Sequence, residues 1–137
     1  MFLTKECDYS VRIIRALSCG SKKTIEAIAT EEKMPQKYAY KIIKKLVKAG
    51  LVHSTRGRIG GYTLIKPLGD FTLLDIIASV DTNRYINECL RGDSKCPFKN
   101  DPNKICTVHH ELARVQSLII SELSSKTMDI VLQIIQP

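Results

Sequence analysis

Residues 24–65 carry the pattern that most constrains the fold, because two short amphipathic helices and a glycine-rich hairpin follow one another directly. Thr24 can cap a first helix that runs to about Glu32. Pro35 is acceptable in the first turn of a second helix, which ends near Gly50. Apolar spacing predicts that the buried face of this second helix consists of Tyr38, Ala39, Ile42, Ile43, Leu46 and Ala49.

The hairpin follows the second helix without a linker. Residues 51–55 and 62–65 have the composition of short strands, and residues 56–61, RGRIGG, are typical of a glycine-rich turn with a basic tip. Another amphipathic helix precedes the pair within residues 4–19. Three helices plus a β-hairpin wing predict a mostly α fold with a winged helix-turn-helix domain over residues 1–66.

Charge divides the chain into two regions. Residues 1–66 hold 14 Lys and Arg against 5 Asp and Glu, a balance of +9, whereas residues 67–137 hold 7 and 9, a balance of −2. A basic region favours an acidic partner, and nucleic acid is the usual one, with an anionic membrane surface as the alternative. The sequence contains neither an apolar run of membrane-spanning length nor a signal-peptide pattern, so we expect a cytoplasmic protein with no membrane partner.

The second helix of the pair predicts a lysine-rich face suited to DNA. Residues near the start of such a recognition helix reach base edges, and the candidates are Gln36, Lys37, Tyr40 and Lys41. Residues further along suit phosphates, and these are Lys44, Lys45 and Lys48. Arg56 and Arg58 in the wing could enter a minor groove. The alternative is an ordinary solvated face, or an interaction module that binds a protein or RNA.

Residues 67–137 predict a sensor and dimerisation region. A linker helix begins near Thr72, and a loop rich in Gly, Pro, Asn and Asp follows it. A long helix then carries an apolar stripe of Val108, Leu112, Val115, Ile119 and Leu123. This stripe exceeds what one small domain readily covers, so we expect a homodimer, with an intramolecular core as the alternative.

The loop holds three of the five cysteines. Cys89, Cys96 and Cys106 are separated by six and nine residues, which matches no common zinc-finger spacing. Spacing alone leaves an iron-sulfur cluster, zinc and redox-active thiols equally open. His109 lies one helical turn after Cys106 and could share a metal with it. A Cys106–His109 nucleophile and base is the enzyme alternative, but no third catalytic partner or cofactor motif accompanies it, so we expect no enzyme.

The stretches MPQKYAYKIIKKLVKAGLV, RGRIGGYTL and DFTLLDIIASVD, followed by three cysteines in a loop, resemble the IscR/NsrR/CymR family of bacterial winged-helix regulators. The resemblance covers nearly the whole chain. It implies a homodimeric repressor or activator, of which we expect a repressor, that binds a palindromic promoter and senses its signal through an iron-sulfur cluster of the 2Fe–2S or 4Fe–4S type. It also implies that Pro35, Lys37 and Tyr40 face the major groove and that Arg56 enters the minor groove. Arg58-Ile59 stands where the family commonly has Pro-Gly.

The resemblance offers two candidates for a fourth cluster ligand. In the NsrR-like branch, an aspartate at the position of Asp8 reaches the cluster from the partner chain. In the IscR-like branch, a histidine at the position of His109 binds within its own chain. We favour Asp8, because a ligand from the partner's DNA-binding half would tie the cluster to the spacing of the recognition helices.

Overall fold

The computed structural model describes residues 3–99 and 101–135, which form six α-helices and one two-stranded antiparallel sheet. The first three helices are α1 (Lys5–Leu17), α2 (Ile25–Glu31) and α3 (Gln36–Lys48). Strands β1 (Val52–Thr55) and β2 (Gly61–Leu64) follow them. The remaining helices are α4 (Leu73–Val80), α5 (Thr107–Ser124) and α6 (Met128–Ile135).

The structure confirms Thr24 as the predicted cap of α2, whereas Pro35 lies one position before the first turn of α3 and not within it. The Thr24 hydroxyl accepts a hydrogen bond from the Ala27 amide at 3.2 Å and so begins α2. Pro35 is the N-cap of α3, and its carbonyl accepts from the Ala39 amide at 3.0 Å. After α3, Gly50 adopts a φ of +78°, the left-handed conformation that glycine tolerates best, and the chain turns into β1.

Strands β1 and β2 form the wing in a register that pairs Val52 with Leu64 and Thr55 with Gly61. The segment before α2 pairs with β2 through an antiparallel bridge, in which the backbones of Lys23 and Tyr62 exchange hydrogen bonds of 2.8 and 3.1 Å. The wing is therefore attached to α2 as well as to α3.

A single hydrophobic core joins the helices. Its largest fully buried side chains from the helices are Ile13, Ile14 and Leu17 of α1, Ile28 of α2, Ile42, Ile43 and Leu46 of α3, Ile76 and Ile77 of α4, and Met128 of α6. Helix α4 packs against both α1 and α3. The linker helix therefore shares the core of the winged helix, although it lies beyond the predicted domain boundary at residue 66.

This architecture confirms the predicted fold class, with two corrections on α3. Tyr38 is 52% exposed and lies beside the Tyr9 ring at a centroid distance of 6.1 Å, so it does not belong to the buried face. Ala49 is also exposed. Both residues stand at the edges of the apolar stripe, where helical periodicity alone does not decide burial.

Candidate DNA interface and cysteine loop

A cleft of about 540 Å³ separates α3 from the wing. Tyr40 and Lys44 line it from α3, and Arg56 and Arg58 line it from the wing. All four residues are exposed. The fold thus brings the predicted recognition-helix and wing residues to one concave surface, which we call the recognition cleft.

Tyr40 and Lys44 also interact with each other. The Lys44 ammonium lies over the Tyr40 ring at 4.4 Å from its centroid, within the range of a cation–π contact. The contact restrains both side chains at the mouth of the recognition cleft. Together with Lys37 and Lys41 they also line a second hollow, of about 590 Å³, on the outer face of α3.

Three polar side chains of α3 have acidic or carbonyl partners. Gln36 donates to the Glu26 carboxylate at 3.1 Å. Lys41 donates to Glu6 Oε1 at 2.7 Å, and Lys45 donates to Glu6 Oε2 at 2.5 Å and to the Val80 carbonyl at 3.1 Å. The hydrogen bonds from Lys41 and Lys45 lower the pKa of Glu6 below its usual value, although desolvation opposes them.

Lys45 is half-buried and tied to two other helices, so the expectation that it lies on the exposed face is wrong. The partner in α1 is 39 residues away in sequence, and no local pattern identifies it. A Glu in the first turn of α1 fits an ordinary preference for acidic residues near helix N-termini, which hides its role as a partner of α3.

The wing tip depends on glycine at one point in particular. A Cβ at Gly60 would lie 2.7 Å from the Thr55 carbonyl oxygen and 2.8 Å from the Gly57 carbonyl oxygen. Gly57 itself has a φ of +102°. The turn that presents Arg56 and Arg58 therefore requires glycine because of backbone crowding.

The three loop cysteines are half-buried, and all five cysteines of the chain carry free thiols. Cys89 and Cys96 line one hollow of about 500 Å³. Cys96 also lines a smaller cavity of about 190 Å³ with Cys106 and His109. Cys96 is thus common to two neighbouring cavities, which we call the loop cavities.

The described residues contain no group of three or more His, Cys, Asp or Glu side chains already gathered as a metal site. Asp8 lines neither loop cavity and instead forms an ion pair with Arg12 at 3.2 Å. The donor set of three thiols and an imidazole suits an iron-sulfur cluster in chemical type. Within the single chain, Cys96, Cys106 and His109 line the smaller loop cavity, whereas Cys89 lines the larger one.

Cys106 also begins helix α5. Its Sγ accepts a hydrogen bond from the His109 amide at 3.4 Å, which makes the thiol the N-cap. A helix N-terminus favours a negative charge, and metal ligation requires the thiolate. The position of Cys106 is therefore fixed by the helix and suits a ligand.

Two anchors hold the rest of the loop. The Lys99 ammonium donates to the carbonyls of Arg91 and Gly92 at 2.8 and 2.7 Å. Gln116 on α5, buried at 6% exposure, donates to the Arg84 carbonyl at 2.9 Å and accepts from the Ile86 amide at 2.9 Å. The segment before Cys89 is thus fixed to α5 by both ends of one amide.

Helix α5 leaves several apolar side chains partly uncovered. Gln116 is its one buried residue among those described, whereas Val108 and Leu118 are 65% and 56% exposed. Of the predicted stripe, Val108 is exposed and the other four members are half-buried, and Leu118 lies beside the stripe. Within residues 3–99 and 101–135, the helices are too short or too polar for one to cross a bilayer.

Comparison with known proteins decides the family. Residues 3–133 match the model of the Rrf2 family, described as iron-dependent transcriptional regulators. This chain belongs to the Rrf2 family. The prediction of a regulator related to IscR, NsrR and CymR, and not of an enzyme, is confirmed.

Individual relatives of this Rrf2 protein cover most of its length. It is 29% identical to protein aau3 of Rhizobium meliloti over 132 residues, which is 94% of this chain and 83% of the relative. It is 24% identical to the transcriptional regulator NsrR of Shouchella clausii over 131 residues, covering 93% of this chain and 88% of the relative.

Solved structures show the same fold. IscR of T. potens superposes with a TM-score of 0.76 at 24% identity, covering 99% of this chain and 89% of the other. CymR, the global cysteine regulator of B. subtilis, gives a TM-score of 0.71 at 20% identity and covers 94% of each chain.

Proposed function

We propose that this Rrf2 protein is a homodimeric repressor that binds palindromic promoter DNA and whose binding depends on an iron-sulfur cluster or the redox state of Cys89, Cys96 and Cys106. The observation that carries the DNA-binding part is the recognition cleft, which joins Tyr40 and Lys44 of α3 to Arg56 and Arg58 of the wing. The family description as a transcriptional regulator supports it. A cytoplasmic location follows from this role.

Roles at the DNA follow from position along α3 and the wing. Residues at the start of a recognition helix reach base edges, so we assign base contacts to Pro35, Gln36, Lys37 and Tyr40. Lys41 is hydrogen-bonded to Glu6, so we assign it to a phosphate that it can reach only after leaving that carboxylate. Lys44 lies one turn later and is assigned to a phosphate. Arg56 and Arg58 are assigned to the minor groove, where a guanidinium responds to groove width and negative potential.

The test of this part is selection of binding sites from a random-sequence duplex pool, followed by affinity measurements at several salt concentrations. We expect enrichment of one palindrome with half-sites about 34 Å apart, and binding that weakens steeply with salt. A protein or RNA adapter would show no palindrome preference among duplexes, and that result would contradict the assignment.

The exposed and half-buried apolar side chains of α5 support the homodimer. A contiguous apolar area on a helix surface is typical of an interface. Leu118→Asp should shift the protein from dimer to monomer in analytical ultracentrifugation, because it places a charge on an exposed apolar position next to the half-buried stripe. Ile59→Asp in the wing, 84% exposed, is the matched control and should leave the dimer intact.

The loop would hold the cofactor through Cys89, Cys96 and Cys106, with Asp8 of the partner chain or His109 as fourth ligand. When bound, a 2Fe–2S or 4Fe–4S cluster with one non-thiolate ligand supplies a centre open to attack by oxygen or nitric oxide. The chain's own contributions are the α5 N-cap at Cys106 and the two loop anchors, Lys99 and Gln116.

Anaerobic purification with iron, sulfide and zinc analysis tests the cofactor. We expect iron and sulfide in near-equal amounts and visible absorption. The second candidate is a zinc- or thiol-based regulator, favoured by the shared cavity of Cys96, Cys106 and His109. Zinc without sulfide, or a Cys96–Cys106 disulfide after oxidation, would contradict the iron-sulfur proposal and support the zinc- or thiol-based regulator.

The fourth ligand is tested by comparing Asp8→Ala with His109→Ala in anaerobic protein, using His110→Ala as the control for an adjacent exposed imidazole. We expect loss of iron or a changed visible spectrum in Asp8→Ala, and a normal spectrum in the other two. A change confined to His109→Ala would contradict the cross-dimer ligand.

A further inference from the structure

Glu6 is one carboxylate shared by two lysines of the recognition helix. Its Oε1 accepts from Lys41 at 2.7 Å and its Oε2 accepts from Lys45 at 2.5 Å. The two lysines lie one helical turn apart on α3, whereas Glu6 lies in the first turn of α1. A carboxylate in this position occupies ammonium groups of the helix that is proposed to face DNA.

The two lysines are held differently. Lys45 also donates to the Val80 carbonyl at 3.1 Å, one of the last carbonyls of α4, which have no partner within that helix. Lys41 is the more exposed of the two, with 59% of its side chain accessible, and within residues 3–99 and 101–135 its ammonium hydrogen-bonds to Glu6 alone. Lys41 can therefore leave Glu6 without disturbing the junction of α3 with α4.

On binding DNA, Lys41 would exchange its contact with Glu6 for a contact with a DNA phosphate. A carboxylate and a phosphate oxygen are both anionic acceptors for an ammonium, so the two compete for the same donor. Glu6 is strong in this competition because its two carboxylate oxygens already lie at hydrogen-bond distance from Lys41 and Lys45, and both contacts favour its charged form and lower its pKa. A lysine that stays paired with a carboxylate neutralises no phosphate, so it releases no counterion from the DNA and does not add to the salt dependence of binding.

We propose that Glu6 limits the DNA affinity of this protein by competing with the DNA backbone for Lys41. This inference rests on the proposed function as a DNA-binding regulator. It assigns Glu6 as a positioning residue of the interface that does not itself touch DNA.

The test measures duplex affinity by fluorescence anisotropy between 50 and 200 mM KCl, using mixed-sequence DNA and the full-length chain. In Glu6→Gln, Lys41 becomes available for a phosphate, so the slope of log K against log salt should steepen by about 0.9. The variant should bind more tightly than wild type at 50 mM, and this advantage should shrink about 3.5-fold by 200 mM, since a fourfold rise in salt acts on a slope difference of about 0.9.

Glu31→Gln is the matched control. It removes the same charge from the same half of the chain, but it releases Lys23, whose side chain is only 18% exposed. Its slope should stay at the wild-type value. A slope for Glu6→Gln equal to that of Glu31→Gln would overturn the inference.

Lys41→Met provides a second arm that does not depend on the folding of the Glu6 variant. If Glu6 withholds Lys41, removal of Lys41 leaves the wild-type slope unchanged, and the double variant Glu6→Gln/Lys41→Met returns to that slope. A slope reduced by about one in Lys41→Met alone would overturn the inference, because it would show that Lys41 already contacts a phosphate in the wild-type complex. Wild-type protein that binds duplex DNA without salt dependence would instead overturn the proposed function.

Discussion

Gln116→Leu is expected to release the segment that leads into Cys89. The substitution keeps the size of the side chain and removes both hydrogen bonds, to the Arg84 carbonyl and from the Ile86 amide. Leucine is apolar and suits the buried position, so the loss falls on the two backbone groups. Arg84 is exposed and Ile86 is half-buried, so water replaces the first bond more readily than the second.

The magnitude follows from these two groups. A net hydrogen bond contributes about 1 kcal/mol, and a buried group left without a partner costs about 1–3 kcal/mol. With one group re-solvated, we expect the free energy of unfolding to fall by about 2 kcal/mol. For a chain of this size, this corresponds to a decrease in Tm of roughly 5–10 °C.

Thermal unfolding of the full chain, with Gln133→Leu on the exposed side of α6 as the control, measures this loss. The control should stay within about 0.5 kcal/mol of wild type. Mass-spectrometric mapping of thiol alkylation should show faster modification of Cys89 and an unchanged rate at Cys106, which α5 positions independently. Equal stability of the two variants, or equal acceleration at both cysteines, would refute the assignment of Gln116 as a loop anchor.

Three further predictions concern the DNA-binding half. Arg56→Ala should weaken DNA binding chiefly at sites with A·T-rich flanks. Lys44→Ala should weaken binding to all duplexes alike and reduce the slope of log K against log salt by about one. The reverse pattern in a competition assay would show that the two assigned roles are exchanged. Gly60→Ala should distort the wing, because its Cβ meets the Thr55 carbonyl at 2.7 Å, and should reduce DNA affinity with little change in dimerisation by ultracentrifugation. The pKa of Glu6 is lowered in the folded protein, so Glu6 stabilises the fold at pH values above its unfolded-state pKa, and this stabilisation is lost as the pH falls through its folded-state pKa. Between pH 7 and pH 3, Tm should therefore fall more in wild type than in Glu6→Gln.

The fold was largely predictable because its signals are local. Thr24 and Gly50 mark helix ends through their own backbone and side-chain chemistry, and the paired glycines at residues 60–61 identify the wing. The exposure of Tyr38 was not predictable in this way, because it depends on where Tyr9 of another helix packs. Periodicity describes one helix at a time.

The site was predictable in its residue types and less so in its pairings. A loop with Cys89, Cys96 and Cys106 is visible in the sequence, but the loop is anchored by Lys99 and Gln116, whose hydrogen bonds go to backbone groups. Backbone acceptors carry no sequence signature, so such anchors are found only in the folded chain. The same holds for the Glu6 pairs with α3, which join residues 35 and 39 positions apart.

The most direct test of the central claim is the affinity of the full chain for its selected palindrome in two states at the same salt concentration. One sample is loaded anaerobically with ferrous iron and sulfide, and the other is treated with a chelator and kept reduced. A loop that controls promoter binding predicts affinities that differ by about 5- to 150-fold, the usual range of coupling between sites. Equal affinities in the two states would contradict it.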